Sequence, residues 1–401
     1  MKRLFFFIAC LACIASLVAV ADPEDSRITI EKRGADKDSL TVSGVKATGP
    51  EGRLFLQTLM ADLERSGWFK VDKTGSTQVT GTVVDADKSV QTVCGVTWPG
   101  GSFQWSRGSG GLDARREAHL FADEIVRRIK GVRGISSTRI VMVRRNAGAA
   151  ELYVCDSDGH NMIQVTHDNS FCVGPRWTPD GRNVYYTSYV NGRPCSYRIS
   201  VETAAKQMLS GYLGLNAGAV VSPATGKDVA IVLSFPGNPE LFLMRLGGGG
   251  LTRLTRTHMA AEASPAWSPD GTRLAYVSDE SGKAQLYLME VATRQSRRIT
   301  LRGSENFSPH FSPDGRIAYT TRRGGPYQIA VLDPNKGESA ETLTTGAIHE
   351  DPSWAPDNRH LVCSRREAGG SSISIIDTLG DPEVRLFSLS GDWVSPDWSD
   401  R

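Results

Sequence analysis

A segment built around Trp-Ser-Pro-Asp-Gly recurs through the C-terminal two thirds of the chain and constrains the fold more than any other feature. Its clearest copy is Ser264–Gly271, Ser-Pro-Ala-Trp-Ser-Pro-Asp-Gly. The anchor residues of the copies are Trp177, Val221, Trp267, Phe311, Trp354 and Trp398. They are separated by 44, 46, 44, 43 and 44 residues, which is the repeat length of a four-stranded propeller blade. Six anchors therefore predict a mainly β fold, a six-bladed β-propeller.

The composition of each repeat favours strands over helices. In Pro-Asp-Gly the proline fixes φ, the aspartate bonds nearby backbone and the glycine is free to take positive φ, so the chain reverses there. Short apolar runs such as Leu274–Val277 and Leu286–Met289 follow, separated by a turn that contains Gly282. We expect the five aromatic anchors to be packing residues.

The first repeat unit lacks an anchor, and the last repeat unit lacks a strand pair. The strand pair that starts near Arg139 has no anchor before it, and the last anchor, Trp398, has no strand pair after it. We expect the C-terminal strand to complete the blade that begins near Arg139. This pairing would close the ring and remove the open sheet edges that favour aggregation.

The first 21 residues are typical of a secretory signal peptide. Met1-Lys2-Arg3 is a cationic start, an apolar core follows to Val20, and Ala19-Val20-Ala21 offers a small-residue cleavage site. A membrane anchor is the first alternative, but the apolar segment is short for a bilayer. Lipoprotein processing at Cys10 or Cys13 is the second, although neither follows a leucine at the usual position. We expect export and cleavage after Ala21.

The charge and the cysteine content of the chain argue against nucleic-acid binding and against a disulfide-stabilised scaffold. Loss of Lys2 and Arg3 with the signal peptide leaves 44 basic and 44 acidic residues, so no net charge steers the mature chain toward nucleic acid. Five cysteines remain, Cys94, Cys155, Cys172, Cys195 and Cys363. This odd, scattered set is no disulfide framework. It favours buried thiols in strands, with one or two bridges as the alternative.

Residues 22–134 lack the repeat and predict a separate small α+β domain, joined directly to a propeller over residues 135–401. The apolar residues of its two predicted helices recur at helical spacing. The predicted elements are a strand at Arg27–Ile30, a helix over Glu51–Ser66, strands at Phe69–Val71 and Thr80–Val84, a glycine-rich hairpin loop over Trp98–Gly111, and a helix around Ala118–Ile129.

No motif for catalysis or for a cofactor is recognisable. The sequence has no Gly-x-Ser-x-Gly, no His-Glu-x-x-His and no phosphate-binding loop. Asp156–Gly159 begins like a metal loop but lacks the later ligands, and we interpret it as a hairpin turn. Surface or turn positions are expected for His119, His160, His167 and His360. We therefore predict no enzyme, no cofactor and no metal.

Two further stretches complete a recognisable set of features. Asp62–Phe69 reads Asp-Leu-Glu-Arg-Ser-Gly-Trp-Phe, and a Gly-Val-Arg-Gly junction at 131–134 leads into Arg139-Ile140. With the signal peptide, the α+β domain, the blades and the Ser-Pro-Asp-Trp-Ser end, the chain resembles the TolB family of the Tol-Pal envelope system. The resemblance covers nearly the whole chain. It departs from the family in a short N-terminal domain, in the repeat at Val221, which lacks the Asp-Gly of the other copies, and in the run Gly247–Gly250.

The resemblance implies a non-enzymatic, monomeric adaptor of the periplasm, active in cell-envelope integrity, cell division and protein import. In this family the propeller binds the peptidoglycan-associated lipoprotein Pal, and the mature N-terminus pairs with the inner-membrane protein TolA. The corresponding residues are Asp22, Pro23, Glu24, Asp25, Arg27 and Ile28. This segment would add to a partner as a strand. An ordinary buried first strand is an equal alternative.

For the lipoprotein, the resemblance and propeller geometry favour the face that carries the loops before each innermost strand. Positions five to three residues before the anchors supply mostly small and polar side chains there. The predicted partner-binding residues are Asn216, Ala217, Gly218, Glu262, Ala263, Asn306, Phe307, His349, Glu350 and Asp351. Glu305, Asp392 and His258 are expected to rim this surface. Generic turn chemistry is the alternative for any single residue.

Two functions of other classes remain open. An exported propeller enzyme would need carboxylates or imidazoles that converge in the channel, and Glu262, His349, Glu350 and Asp351 are its candidates. A binding module for a carbohydrate or another exported protein is the second.

Overall fold

A computed structural model describes residues 36–86, 89–108, 113–337 and 339–401. The signal peptide, the strand predicted at Arg27–Ile30 and the partner-binding segment predicted at Asp22–Ile28 lie outside the described residues. Among the described residues, no helix combines the length and hydropathy needed to cross a bilayer.

The N-terminal α+β region is a five-stranded sheet covered on one face by two helices. The strand order is β2-β1-β3-β4-β5; β1 runs parallel to β2 and to β3, and the other pairs are antiparallel. The bounds are β1 Asp38–Ala47, α1 Gly49–Arg65, β2 Phe69–Val71, β3 Thr77–Ala86, β4 Ser89–Trp98, β5 Gly101–Arg107 and α2 Ala114–Lys130.

Helix α2 has the clearest sequence signals. The Asp113 side chain accepts the amide of Arg116 at 2.8 Å, and Gly131 ends the helix with φ of 70°, which satisfies backbone groups at both ends. The cations of its last turn, Arg127, Arg128 and Lys130, suit the helix dipole. Both predicted helices are present in the structure.

The glycine-rich stretch predicted as a hairpin loop is in part strand β5, so that prediction is wrong for Gly101–Arg107. The Trp105 ring stacks on Phe121 of α2 with centroids 5.3 Å apart, and its indole N–H donates to Glu117 at 2.9 Å. These contacts with α2 hold the stretch in place, and local composition does not reveal them. Strands β1 and β4 were also missed.

Six four-stranded antiparallel sheets follow, and they confirm the six-bladed propeller. The blades are numbered I to VI in chain order. Blade I contains β6 Arg139–Asn146, β7 Ala149–Asp156, β8 Ile163–Gln164 and the last strand of the chain, β29 Asp392–Trp398; blade II contains β9 Cys172–Trp177, β10 Asn183–Ser188, β11 Cys195–Ser200 and β12 Lys206–Ser210. Blade III contains β13 Asn216–Val221, β14 Asp228–Leu233, β15 Glu240–Arg245 and β16 Leu251–Arg253; blade IV contains β17 Glu262–Trp267, β18 Arg273–Ser278, β19 Gln285–Glu290 and β20 Gln295–Arg298. Blade V contains β21 Glu305–Phe311, β22 Ile317–Arg322, β23 Gln328–Leu332 and β24 Ala340–Thr342; blade VI contains β25 Ile348–Trp354, β26 His360–Glu367, β27 Gly370–Asp377 and β28 Val384–Arg385.

The ring closes as the ends of the array predict. Strand β29 pairs antiparallel with β6, with Trp398 opposite Ile140 and Asp392 opposite Arg145. Beyond the strand, the amide of Ser399 donates to the carbonyl of Arg139 at 2.8 Å. The last strand therefore forms the innermost strand of blade I and pairs with the edge of β6 that would otherwise be open.

The propeller has two faces, which the strand directions define. All innermost strands begin on the face we call the entry face, at the loops 165–171, 211–215, 254–261, 301–304, 345–347 and 386–391. They end at the Pro-Asp-Gly-type turns on the opposite, turn face. In one such turn, the Ser268 hydroxyl donates to Asp270 at 2.5 Å and Gly271 has φ of 69°, as the sequence predicts.

The α+β region contacts the turn face of the propeller within one compact unit. Arg359, 2% exposed, donates to Asp377 at 2.6 Å and to Asp381 at 3.2 Å. Its guanidinium also lies 4.6 Å from the centroid of the Trp68 ring. A Cβ at Gly67 would lie 2.4 Å from this guanidinium, so the Gly-Trp of the sequence signature allows this close contact.

A second buried contact at this junction corrects the expected positions of two histidines. His119 lies buried on α2 and His360 is buried at the start of β26, so neither is a surface residue. His119 Nδ1 lies 2.6 Å from Asp62, and its Nε2 lies 3.7 Å from Asp158, which Arg115 also contacts. Burial acts to lower the pKa of His119, but the hydrogen bond and charge of Asp62 and the charge of Asp158 outweigh it and raise the pKa.

The five cysteines among the described residues are free, buried and in strands, as the sequence predicts. Burial raises the pKa of Cys94 to about 11 and that of Cys172 to about 12. These thiols are packing residues without the thiolate character that reactivity needs.

Candidate functional site at the entry face

Each innermost strand bulges three residues before its anchor, and the bulges form a ring around the channel. The residues at this position all have positive φ, between 49° and 62°: Gly174, Gly218, Ser264, Ser308, Asp351 and Ser395. The strand register shifts at each of them. Non-glycine residues rarely adopt this conformation, and bulges re-aim side chains. The ring therefore presents short polar groups and open backbone toward the axis.

Asp351 is the one carboxylate of this ring. Its two oxygens accept hydrogen bonds from the neighbouring blades, from Ser308 at 2.7 Å and from Ser395 at 3.0 Å. Its amide donates to the Thr320 hydroxyl at 3.0 Å. The neighbouring Glu350 is largely buried; burial, and then the charge of Asp351, raise its pKa to about 7, although Arg366 donates to it at 2.9 Å.

A second polar layer lies one residue before the anchors. Asp397, 5% exposed at its side chain, pairs with Arg176 at 2.9 Å and accepts the Ser353 hydroxyl at 2.9 Å and the amide of Trp177 at 2.8 Å. His310 Nε2 lies 3.5 Å from the same carboxylate. Four blades thus meet at one buried charge, which its partners neutralise.

The geometry fixes the protonation of His310. Its Nδ1 accepts the amide of Trp354 at 3.1 Å, so the neutral ring carries its proton on Nε2, toward Ser353 and Asp397. Burial, helped by the charge of Arg176, lowers the pKa of His310 to about 4 against the opposing effect of Asp397. Both oxygens of Asp397 and both ring nitrogens of His310 thus have protein partners at this level of the channel.

The structure divides the predicted partner-binding residues into two sets. Partly exposed toward the channel are Ala217, Gly218, Ala263, Phe307, Glu350 and Asp351. Enclosed, at 0 to 1% exposure, are Asn216, Glu262, Asn306 and His349. Burial removes these four from the residues that can touch a partner, because each is the first or second residue of its strand and lies beneath the preceding loop.

The enclosed residues instead hold the entry-face loops. The Asn216 amide donates to the carbonyl of Tyr212 at 2.8 Å, and its oxygen accepts the amide of Tyr212 at 2.9 Å. Asn306 donates to the carbonyl of Arg302 at 2.9 Å and to Gln285 at 2.7 Å. Asn216 and Asn306, each five residues before an anchor, therefore position the loops that precede them.

Sequence reasoning missed a set of exposed apolar residues on the entry face. These side chains occupy loops and have no periodic pattern that would reveal them. They are Phe171, Tyr212, Leu213, Phe235, Met259, Leu301 and Leu389, each at least 43% exposed. The entry face therefore combines exposed apolar side chains in its loops with the polar ring of bulges around the channel.

Comparisons with known proteins agree with this architecture. A family model described as the TolB beta propeller domain matches residues 126–401. A TolB homolog of Chlorobium luteolum is 32% identical over 187 residues, 46% of this chain and 42% of its own length. The Tol-Pal system protein TolB of Bordetella pertussis is 30% identical over 286 residues, 65% of each chain. The matched stretches thus span less than two thirds of these relatives.

Among solved structures, the crystal structure of TolB from Acinetobacter baumannii superposes with a TM-score of 0.82 at 24% identity, covering 92% of this chain and 98% of its own. That likeness establishes the fold. The molecule is a six-bladed propeller protein with an α+β region at its turn face. Because the family model matches well over half of its residues, the chain belongs to the TolB family.

Proposed function

We propose that this protein is a non-enzymatic adaptor of the Tol-Pal system in the periplasm, which binds a Pal-type lipoprotein through its entry face. The observation that carries the proposal is the ring of six bulges, four of which carry a short polar side chain: Ser264, Ser308, Asp351 and Ser395. Such a ring lets a protruding partner element approach the backbone closely and bond polar groups. Membership of the TolB family supports the same partner.

The paired state of the axial groups supports an adaptor over an enzyme. Asp397 accepts hydrogen bonds from three protein groups, and Asp351 accepts from two. A general acid or base needs an oxygen or nitrogen directed at a substrate. The role in envelope integrity and cell division follows from the family and from binding of the lipoprotein.

Bulk at the channel mouth should prevent lipoprotein binding without unfolding the propeller. Ala263→Arg places a long cation at a partly exposed position with ordinary φ, so we expect a loss of affinity of at least roughly tenfold. The measurement is calorimetric titration with the soluble domain of the Pal-type lipoprotein from the same genome. Ala292→Arg, at an exposed position on the turn face, is the matched control. Unchanged affinity in Ala263→Arg would reject the entry face.

We further propose that the mature N-terminus, Asp22 to Ile28, pairs with a TolA-type inner-membrane protein by strand addition. Deletion of residues 22–27 should abolish capture of the TolA-type protein and leave the thermal melt of the chain unchanged. A second variant replaces these residues with a Gly-Ser linker of equal length, which tests whether binding depends on their sequence or only on the length of the segment. This variant should also fail to bind the TolA-type protein. Full capture by either variant would refute this role.

A further inference from the structure

Four exposed apolar side chains lie in three neighbouring loops on the entry face of blade III. Tyr212 is 43% exposed, Leu213 77%, Phe235 46% and Met259 68%. We call these residues the blade III patch. The Tyr212 and Phe235 rings lie 5.2 Å apart, and Phe235 lies 5.3 Å from buried Phe242. The patch is therefore a surface extension of the blade core, and its aromatic rings are held in place before any partner arrives.

The three loops that carry the patch are bonded to one another. The Ser234 hydroxyl accepts the amide of Leu215 at 2.8 Å, which ties the loop 211–215 to the turn 234–239. The Asn238 amide donates to the carbonyl of Ala260 at 2.6 Å, which ties that turn to the loop 254–261. Because these bonds already order the three loops, little conformational entropy would be lost from them when a partner binds.

The three loops of the patch carry cationic side chains and no carboxylate. Residues 211–215, 234–239 and 254–261 contain no Asp or Glu. They contribute exposed Arg256 and His258, and the guanidinium of exposed Arg193 lies beside Gly211. Glu240 and Glu262, which flank these loops, are buried, and half-buried Asp279 accepts the amide of Ala261 at 2.8 Å. An apolar centre with a basic rim complements an apolar side chain set among acidic residues.

We propose that the blade III patch is the anchor site for the lipoprotein partner, and that it receives an apolar side chain flanked by acidic residues of that partner. The proposal rests on the proposed function and adds to it a second contact, outside the channel mouth. The patch would supply apolar burial and long-range attraction, and the bulge ring would supply polar specificity. Exposed apolar surface of this kind is typical of interaction sites.

The test is a titration of the full mature chain with the soluble domain of the Pal-type lipoprotein. Leu213→Ser together with Met259→Ser should weaken binding roughly tenfold, with an unchanged thermal melt because both side chains are exposed. The matched control is Ile163→Ser with Val384→Ser, two apolar residues 48% and 50% exposed on outer strands. Arg256→Gln should reduce the salt dependence of the affinity.

The outcomes separate this proposal from the adaptor function. Wild-type affinity in the patch variant, combined with lost binding in Ala263→Arg, would overturn the patch and leave the channel mouth as the site. Wild-type affinity in both variants would overturn both proposals. If the patch variant loses only self-association in sedimentation velocity and keeps its lipoprotein affinity, the patch is a contact between copies of this chain, and the proposal is wrong.

Discussion

Replacement of Asp397 by alanine is expected to lower the free energy of unfolding by about 3–5 kcal/mol, the usual effect of removing one partner of a buried ion pair. The side chain is 5% exposed and joins blade I to Arg176 of blade II and Ser353 of blade VI. Its loss would leave a partly buried guanidinium and the amide of Trp177 without their acceptor. Because these blades meet where the ring closes, the whole propeller should be affected.

Urea unfolding followed by tryptophan fluorescence measures this effect as a lower transition midpoint. Asp333→Ala removes a pair whose lysine, Lys336, is 82% exposed, and such pairs contribute about 0–1 kcal/mol. It is the matched control. A midpoint for Asp397→Ala equal to that of this control would show that the axial network does not hold the ring together.

Glu262→Gln is expected to stabilise the protein at alkaline pH. Burial, and then the charge of Glu240, raise the pKa of Glu262 from 4.5 to about 8. Both carboxylates contact the Thr257 hydroxyl, at 3.3 Å from Glu240 and 3.1 Å from Glu262. The folded protein therefore holds a proton on Glu262 that the unfolded chain releases.

The sign of the effect follows from linkage. Below about pH 4.5 the Glu262 carboxyl is protonated in both the folded and the unfolded state, so it does not lower the free energy of unfolding. Between about pH 4.5 and 8 the unfolded chain binds fewer protons than the folded chain, so the free energy of unfolding falls as pH rises. The side-chain amide of the Glu262→Gln variant needs no such proton, and the expected gain is on the order of 2–4 kcal/mol at pH 8 and near zero at pH 4.

Chemical denaturation of wild type and variant across this pH range measures the difference. The next blade junction supplies a converse test, because there Asn306 donates to Gln285 at 2.7 Å and no proton is required. Asn306→Asp should introduce a new loss of stability as pH rises. Parallel curves for wild type and Glu262→Gln at all pH values would show that Glu262 is ionised in the fold.

The fold was largely predictable from sequence because its signals are local and repeated. A Pro-Asp-Gly turn and an aromatic anchor need only their own neighbours, so six copies gave the blade number and Trp398 gave the closure. Strand β5 was not predictable, because Gly101–Arg107 is held by contacts of Trp105 with α2. The prediction for His119 failed for the same reason, since its partners Asp62 and Asp158 are distant in sequence.

The sequence placed the candidate residues near the start of each innermost strand, and their contact with a partner stays a prediction. Counting back from the anchors located the entry face and Asp351, yet it could not show that the residue five before each anchor points into the blade. Asn306 and Ala217 look equally suited to a turn, and only the alternation of the strand decides which is enclosed. The blade III patch had no sequence signal because Leu213 and Met259 stand in irregular loops.

Hydrogen–deuterium exchange of the mature chain, with and without saturating soluble Pal-type lipoprotein, tests the central proposal most directly. We expect slower exchange at the entry-face ends of the innermost strands and in loops 211–215 and 254–261, with no change in the Pro-Asp-Gly turns. Protection confined to the turn face, or no protection at saturation, would contradict an adaptor that binds through its entry face.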